Sequence, residues 1–238
     1  MVEKNLQQST EFFTPKLGFD VHPYILVNNK QGIHHIGRYQ WACLALKGKS
    51  PKVIIDIACG SGYGSFMLAT ALPDSHIIGV DYDARGVTQA SRCYTQKNLE
   101  YQVGDITTWQ GAQGSLPRCD AIVSFDTIEH LLHRDITLMR IADSLNDDGW
   151  LLLSTPCGHP LTRLNPAWEH HKCEYSDKDL HDYLWRFFAR IVQPQDADFP
   201  AYDFWSGIMN RDEIRYLNRM NPVICQNPKR PPLYERRV

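Results

Sequence analysis

Two carboxylates on either side of a glycine-rich turn are the residues whose types and spacing most clearly suit ligand chemistry. Asp56 lies in an apolar run, and Gly60 and Gly62 follow it. Because glycine lets backbone N–H groups and a helix N-terminus approach a ligand closely, the turn suits a polar small molecule. Asp81 ends a second apolar run 19 positions after Gly62, which is typical of a carboxylate that binds ribose hydroxyls. The alternative is a domain in which these glycines only permit tight packing.

A second group of ionisable residues lies farther along the chain. These residues are spaced three and four positions apart: Asp126, Glu129, His130 and His133. If residues 127–132 are helical, the four side chains cluster on one face. A later segment adds His170 and His171. Two carboxylates and two histidines could hold a divalent cation, and the candidate set is Asp126, Glu129, His130 and His171. Histidines that line an acceptor pocket or cap a helix are the alternative, and we favour a site without metal.

The elements that must position these residues alternate between strand and helix. Predicted strands cover 53–57, 76–81, 99–103, 120–125, 150–154, 187–193 and 222–225, and predicted helices cover 31–47, 62–72, 84–97, 134–146 and 177–184. Residues 106–117 and 156–175 are predicted loops, and 146–149 a turn. The alternation predicts an α/β fold: a doubly wound, mostly parallel, Rossmann-like sheet of seven strands with helices on both faces. Ligands then bind at the carboxyl ends of the strands.

The glycine turn resembles the first motif of the class I S-adenosylmethionine (SAM) methyltransferases. The shared form is Asp-x-Ala-Cys-Gly-x-Gly-x-Gly over 56–64, with Asp four residues before the first Gly. A nicotinamide-binding turn instead opens with Gly at the strand end, and its third Gly falls one residue later than Gly64. The resemblance covers about 31–193 and is strongest over 53–155. It implies the class I methyltransferase fold, with SAM as cofactor and S-adenosylhomocysteine as product.

The resemblance also implies roles for individual residues. Asp81 would accept both ribose hydroxyls, Tyr82 would pack on adenine, and Asp105 would accept from its amino group. Arg38 or His35 would bind the cofactor's carboxylate. The complete predicted cofactor site is Arg38, Asp56, Ala58, Gly60, Gly62, Asp81, Tyr82, Asp105, Ile106 and Phe125. Any single aspartate could instead be a helix cap or a solvated strand end, but carboxylates recur at three successive strand ends.

Methyl transfer itself requires an in-line acceptor and, for a hydroxyl, removal of its proton. We therefore predict His130, Asp126 and His133 as catalytic residues, with His130 as the general base. Together with the arm residues Phe13-Thr14-Pro15, the turn resembles that of glycan and nucleotide-sugar methyltransferases. This favours O-methylation of a sugar, a glycan or another hydroxylated small molecule. Two alternatives stay open: a divalent-metal-dependent RNA ribose 2′-O-methyltransferase, and a catalytically silent SAM-binding partner subunit.

Length and composition restrict these possibilities further. The chain has 238 residues and a formal net charge of −2, which disfavours nucleic acid as a partner although the segment 229–237 is basic. Seven cysteines without C-x-x-C pairs, no apolar signal core and no membrane-spanning run predict a cytoplasmic protein with reduced thiols. We expect it to be a monomer or a homodimer. We divide the chain into an arm or lid (1–30), a SAM-binding domain (31–225) with acceptor-site insertions (156–175 and 195–218), and an extended basic tail (226–238).

Overall fold

A nine-stranded sheet lies at the centre of the computed structural model, which describes residues 33–193 and 220–230, with side chains from residue 35. The predicted arm (1–30), the insertion at 195–218 and residues 231–238 of the tail lie outside the described residues. The helices are α1 (Ile33–Lys49), α2 (Tyr63–Ala71), α3 (Ala84–Cys93), α4 (Arg134–Ser144) and α5 (Asp177–Trp185), with a 3₁₀ turn at Ile128–His130.

The described part of the chain has eleven strands, of which the seven long ones lie near the predicted positions. They are β1 (Val53–Ile57), β2 (His76–Asp81), β3 (Leu99–Asp105), β4 (Gln110–Gly111), β5 (Gly114–Ser115), β6 (Cys119–Phe125), β7 (Leu145–Ser154), β8 (Arg163–Leu164), β9 (Cys173–Glu174), β10 (Phe188–Val192) and β11 (Val223–Pro228). The sheet order is β10-β11-β7-β6-β1-β2-β3-β4-β5, and β8 pairs with β9 separately.

The seven long strands form the predicted, mostly parallel α/β sheet. Strands β3, β2, β1, β6 and β7 run parallel, whereas β11 runs antiparallel to both β7 and β10. The other two strands, β4 and β5, are two-residue additions beyond β3. Because β1 lies between β2 and β6, the strand order reverses beside β1, where open α/β sheets bind ligands.

Strand β1 shows why the sheet forms at the middle of the molecule. Its isoleucines are fully buried, and they alternate between two hydrophobic clusters: Ile55 and Ile57 belong to one cluster, and Ile54 belongs to the other. A strand covered on both faces requires a continuous apolar sequence, as this one has. The carboxyl end of β1 is thereby fixed inside the molecule, and the glycine turn begins there.

The capping residues of two helices agree with the sequence pattern, but one helix is shorter than predicted. The side chains of Asp83 and Ser176 accept hydrogen bonds from the first turns of α3 and α5. Helix α3 ends at Cys93 instead of residue 97, because Tyr94 is extended and packs its ring 5.5 Å from that of Phe66. Burial of one aromatic side chain thus ends the helix early.

Several predicted loops and ends contain additional strand pairing. The predicted loops 106–117 and 156–175 each contain short strands, β4–β5 and β8–β9. The predicted turn at 146–149 lies within the irregular start of β7, which begins at Leu145. Strand β11 reaches Pro228, three residues into the predicted tail, because both its edges are paired. All seven cysteines are free thiols. Among the described residues, no helix is long and apolar enough to cross a membrane.

Candidate functional site

The glycine turn after β1 has an unusual backbone with several left-handed residues. Ala58 and Gly60 have left-handed φ angles of 54° and 55°. Gly62 has φ 84°, and a Cβ there would lie 2.4 Å from the Cβ of Ala90. Only glycine can occupy position 62 without moving α3, which explains that part of the motif. The predicted helix that follows starts at Tyr63.

Asp56 lies behind this turn rather than on its open side. Its carboxyl group is fully buried and accepts hydrogen bonds from the Tyr39 hydroxyl (3.0 Å) and the Ser65 hydroxyl (2.6 Å). Burial raises the pKa of Asp56 to about 7, although these two hydrogen bonds lower it. Asp56 therefore connects β1 to α1 and α2.

Asp81 lies at the end of β2, directly beside the turn. One oxygen accepts from the backbone N–H of Gly60 (2.8 Å) and the other from that of Asp83 (2.9 Å). Burial raises the pKa of this carboxyl, against hydrogen bonds that lower it. Each carboxylate oxygen has a second lone pair, so both can still accept from a ligand hydroxyl.

The remaining predicted adenosine contacts differ in their exposure. The Asp105 carboxylate accepts from the N–H (2.8 Å) and hydroxyl (2.6 Å) of Thr107 in a local turn. Tyr82 is half-buried, and burial raises the pKa of its hydroxyl to about 12. Ile106 is buried within the larger hydrophobic cluster. Of these residues, Tyr82 and Asp105 present partly exposed side chains at the strand ends.

A cavity of about 130 Å³ opens beyond the carboxyl ends of β1 and β6. It is lined by His35, Arg38, Tyr39, Ala58, Cys59, Gly60, Ser61, Tyr63, Phe125 and Asp126. Five of the predicted site residues therefore come together here, contributed by α1, the glycine turn and the end of β6. The sequence analysis did not single out Cys59, Ser61 or Tyr63, although they belong to the motif itself.

An ion pair closes one wall of this cavity. The Arg38 guanidinium donates to both carboxylate oxygens of Asp126 and to the Ser154 hydroxyl (2.5 Å), and contacts His35 Nδ1 at 2.8 Å. Burial alone would raise the pKa of Asp126, but Arg38 and His35 hold it well below its usual range. Asp126 is thus a charged partner of Arg38 and a very weak base.

A separate cluster of three residues follows Asp126. The 3₁₀ turn supplies Glu129 and His130, and the segment before β9 supplies His171; potential ligand atoms of all three lie within 4.8 Å of one another. Glu129 is fully buried. Its Oε2 accepts from the Thr155 hydroxyl (2.8 Å), whereas its Oε1 has no hydrogen-bond donor in the described part of the chain. Burial raises the pKa of Glu129 well above its usual value.

Hydrogen bonds fix the ring tautomers of both histidines. His130 Nδ1 lies 3.1 Å from the carbonyl oxygen of His170, which can only accept, so this nitrogen carries the proton. His171 Nδ1 lies 2.8 Å from a carboxylate oxygen of Glu174, whose other oxygen is 3.0 Å from His159 Nε2. Burial raises the pKa of Glu174, but these two histidines lower it below its usual value. In the neutral ring of each cluster histidine, Nε2 then carries the lone pair.

The structure divides the predicted catalytic and metal group. The 3₁₀ turn has only three residues, so the helical spacing assumed from the sequence is not formed. Asp126 instead faces Arg38 with a left-handed φ of 50°, and His133 is exposed at the start of α4. Of the two later histidines, His171 joins the cluster. Sequence reasoning missed Glu174, for which its spacing of three residues from His171 was the available signal.

Comparison with known proteins agrees with this geometry. The family model described as a methyltransferase domain matches residues 38–198. The chain is 26% identical over 137 residues to a malonyl-[acyl-carrier protein] O-methyltransferase of Bacillus cereus, covering 58% of this chain and 49% of that protein. It is 29% identical over 116 residues to phosphoethanolamine N-methyltransferase 1 of Triticum aestivum, covering 48% and 22%. The chain thus spans half or less of the length of these curated relatives.

A solved structure shows the same fold over most of the chain. The O-methyltransferase from a trans-AT PKS multienzyme of Brevibacillus brevis, in complex with S-adenosyl-L-homocysteine, superposes with a TM-score of 0.55. The two chains are 14% identical, and the match covers 90% of this chain and 81% of the other. At this identity the likeness concerns the fold alone.

Proposed function

The chain belongs to the methyltransferase-domain family of class I SAM-dependent enzymes, and we propose that it methylates a hydroxyl group of a small molecule, with sugars and glycans as the favoured acceptors. A hydroxyl acceptor is favoured by the cluster of Glu129, His130 and His171, which begins three residues after the cavity-lining Asp126. A neutral amine needs no help to lose a proton before methylation, whereas a hydroxyl does.

The residues around the turn fit the cofactor. SAM supplies a methyl group already activated on a sulfonium. The Arg38 guanidinium lies in the cavity wall, where its positive charge would attract the carboxylate of the cofactor's amino-acid end. Backbone at Ala58 and Gly60 allows close approach, and Asp81 has acceptor capacity for ribose hydroxyls. The cavity of about 130 Å³ suits that amino-acid end, while the ribose would lie towards Asp81.

The acceptor side is built from the segment between β7 and α5. Trp168 is half-exposed, and its ring lies 5.8 Å from that of His170, whose carbonyl oxygen accepts from His130. An exposed aromatic face beside polar groups suits a sugar, because a sugar ring has an apolar face and a rim of hydroxyls. Asp126 acts here as the residue that orients Arg38, and we assign no catalytic role to His133.

The acceptor class can be tested with SAM labelled in its methyl group. The purified chain is incubated with nucleotide sugars, simple glycosides, catechols, primary amines and a short single-stranded RNA. We expect label on a hydroxyl of a sugar or other small molecule. Label only on nitrogen would overturn the proposal, and label on a terminal ribose of the RNA would favour the ribose 2′-O-methyltransferase instead.

Cofactor binding is tested separately by calorimetric titration with S-adenosylhomocysteine. Asp81→Asn should weaken binding by ~1–3 kcal/mol, which is about five- to 150-fold, because it removes charge-assisted hydrogen bonds to the ribose. Asp74→Asn, in the exposed turn between α2 and β2, is the matched control and should bind as the wild type does. Equal affinity in both variants would contradict the ribose role of Asp81.

A further inference from the structure

We propose that Glu129, His130 and His171 bind a divalent first-row transition-metal cation, and that this cation activates the acceptor hydroxyl. The inference rests on the proposed function, which it deepens by naming how the hydroxyl loses its proton. It departs from the sequence prediction in two ways: a metal is favoured, and Asp126 is not among its ligands.

The first support is the position of the Glu129 carboxyl group. It is fully buried, yet only one of its oxygens accepts a hydrogen bond from a described residue, the Thr155 hydroxyl. Buried carboxyl oxygens are almost always hydrogen-bonded or bound to a cation. Within residues 35–193 and 220–230, the nearest basic atom is His130 Nε2, 3.9 Å from the unsatisfied oxygen, which is too far for a hydrogen bond but leaves space for an ion.

The second support is the set of contacts that orient the two histidines. Histidines that bind metals usually donate their other ring N–H to a carbonyl or carboxylate oxygen. His130 does so to the carbonyl of His170, and His171 does so to Glu174. Glu174 is in turn held by His159. These contacts are independent of Glu129, and both leave the lone pair on Nε2.

The donor set indicates the kind of cation. Two imidazoles and one carboxylate suit Mn²⁺, Fe²⁺ or Zn²⁺, whereas Mg²⁺ and Ca²⁺ prefer oxygen ligands only. Metal bonds of ~2.0–2.2 Å require ligand atoms closer together than the present limit of 4.8 Å, so the side chains must close in slightly. The Asp126 carboxylate is already paired with Arg38, and three protein ligands leave positions for water and the acceptor.

The chemistry of the step balances without another reactant. Binding to the cation lowers the pKa of the acceptor hydroxyl, whose proton passes to solvent. The resulting alkoxide oxygen forms a bond to the methyl carbon as the carbon–sulfur bond breaks. The electron pair of that bond stays on sulfur, which leaves a neutral thioether and a methyl ether. The cation is unchanged in charge and oxidation state.

The proposal is tested by calorimetric titration of the chelator-stripped full chain with MnCl₂, ZnCl₂ and CaCl₂. We expect one Mn²⁺ or Zn²⁺ per chain and much weaker Ca²⁺ binding. His171→Gln should weaken Mn²⁺ and Zn²⁺ binding more than ~100-fold, and Glu174→Gln, which loosens the ring of His171, by ~10–100-fold. His76→Gln, at the exposed start of β2, is the matched control and should bind both ions as the wild type does.

Measuring S-adenosylhomocysteine binding by each variant distinguishes failure of the metal proposal from failure of the proposed methyltransferase function. If the wild type binds this ligand but His171→Gln binds Mn²⁺ and Zn²⁺ as tightly as His76→Gln does, the metal site is wrong and the proposed methyltransferase stands. The same conclusion follows if the wild type binds neither ion stoichiometrically. If the wild type does not bind S-adenosylhomocysteine, the proposed function fails whatever the ions do. Should His171→Gln not fold, Glu174→Gln provides the same comparison with His76→Gln.

Discussion

Among the individual residues, the buried carboxyl of Asp56 makes stability depend on pH. Burial raises the pKa of Asp56 to about 7 in the folded protein, whereas an unfolded aspartate titrates near ~3.9. The folded chain therefore keeps a proton that the unfolded chain has released, and the free energy of unfolding should fall as pH rises from about 4 to 7. Above pH 7 the carboxyl is ionised in both states, and the loss of unfolding free energy is complete.

Asp56→Asn tests this effect because asparagine cannot ionise. Relative to the wild type, the variant should gain up to ~3 kcal/mol of stability between pH 5 and pH 8, as measured by urea unfolding at both values. Comparing the two proteins at each pH cancels the titration of all other groups. A difference in stability that is the same at pH 5 and pH 8 would show that Asp56 is already ionised in the folded state.

Single residues also show how far a sequence can locate a site. The glycine motif identified Ala58 and Gly60, and both line the cavity because local backbone geometry decides their position. The ion-pair partner of Asp126 could not be predicted from local sequence, because Arg38 is 88 residues away and only the folded sheet brings the two together. The short 3₁₀ turn also places His133 away from His130. In a continuous helix the two side chains would lie on the same face.

At the scale of secondary-structure elements, substituting a single glycine of α2 tests how α1 packs against α2. Gly64 lies in the first turn of α2, and a Cβ there would come within 2.0 Å of the Tyr39 ring on α1. Gly64→Ala must push α1 away, and with it the hydrogen bond from Tyr39 to Asp56. We expect a loss of ~1–3 kcal/mol in unfolding free energy and weaker S-adenosylhomocysteine binding, since α1 also carries Arg38.

Gly48→Ala is the matched control for that substitution. Gly48 lies in α1, and a Cβ there meets nothing within 4 Å. Alanine should therefore stabilise the chain by up to ~1 kcal/mol through its higher helix propensity, without changing ligand affinity. Urea unfolding and calorimetry on both variants check the pair. If Gly64→Ala were as stable as Gly48→Ala, the packing of α1 on α2 would be different from that described here.

The elements differ in how strongly the sequence specifies them. Strands β1, β2 and β6 were predicted within one residue of their bounds because long buried apolar runs have few alternatives. The pairs β4–β5 and β8–β9 were missed because two-residue strands have no measurable periodicity and form only through their partners. The end of α3 depended on a tertiary contact of Tyr94, which local propensity does not contain.

In the whole molecule, the cavity lies where the two halves of the sheet meet. Arg38 comes from α1, Asp126 from the end of β6 and Ser154 from the end of β7. The ion pair therefore joins the first helix to the second half of the sheet, across the glycine turn of the first half. The alternation of strands and helices predicted that ligands bind at the carboxyl ends of the strands, where the strand order reverses, but it did not predict that Arg38 pairs with Asp126 there.

A double-mutant cycle on this ion pair tests whether it holds the two halves together. Arg38→Met leaves the Asp126 carboxylate largely buried without its main partner, and should lower the unfolding free energy by ~2–3 kcal/mol. Arg38→Met with Asp126→Asn should cost less than the sum of the two single changes, with a coupling of ~1–3 kcal/mol in urea unfolding. Lys49 and Asp148, another ion pair between α1 and the sheet, have one exposed partner and should show much weaker coupling. Equal coupling in the two pairs would mean that Arg38 and Asp126 interact as ordinary surface charges, and that α1 is held over the cavity by its apolar face alone.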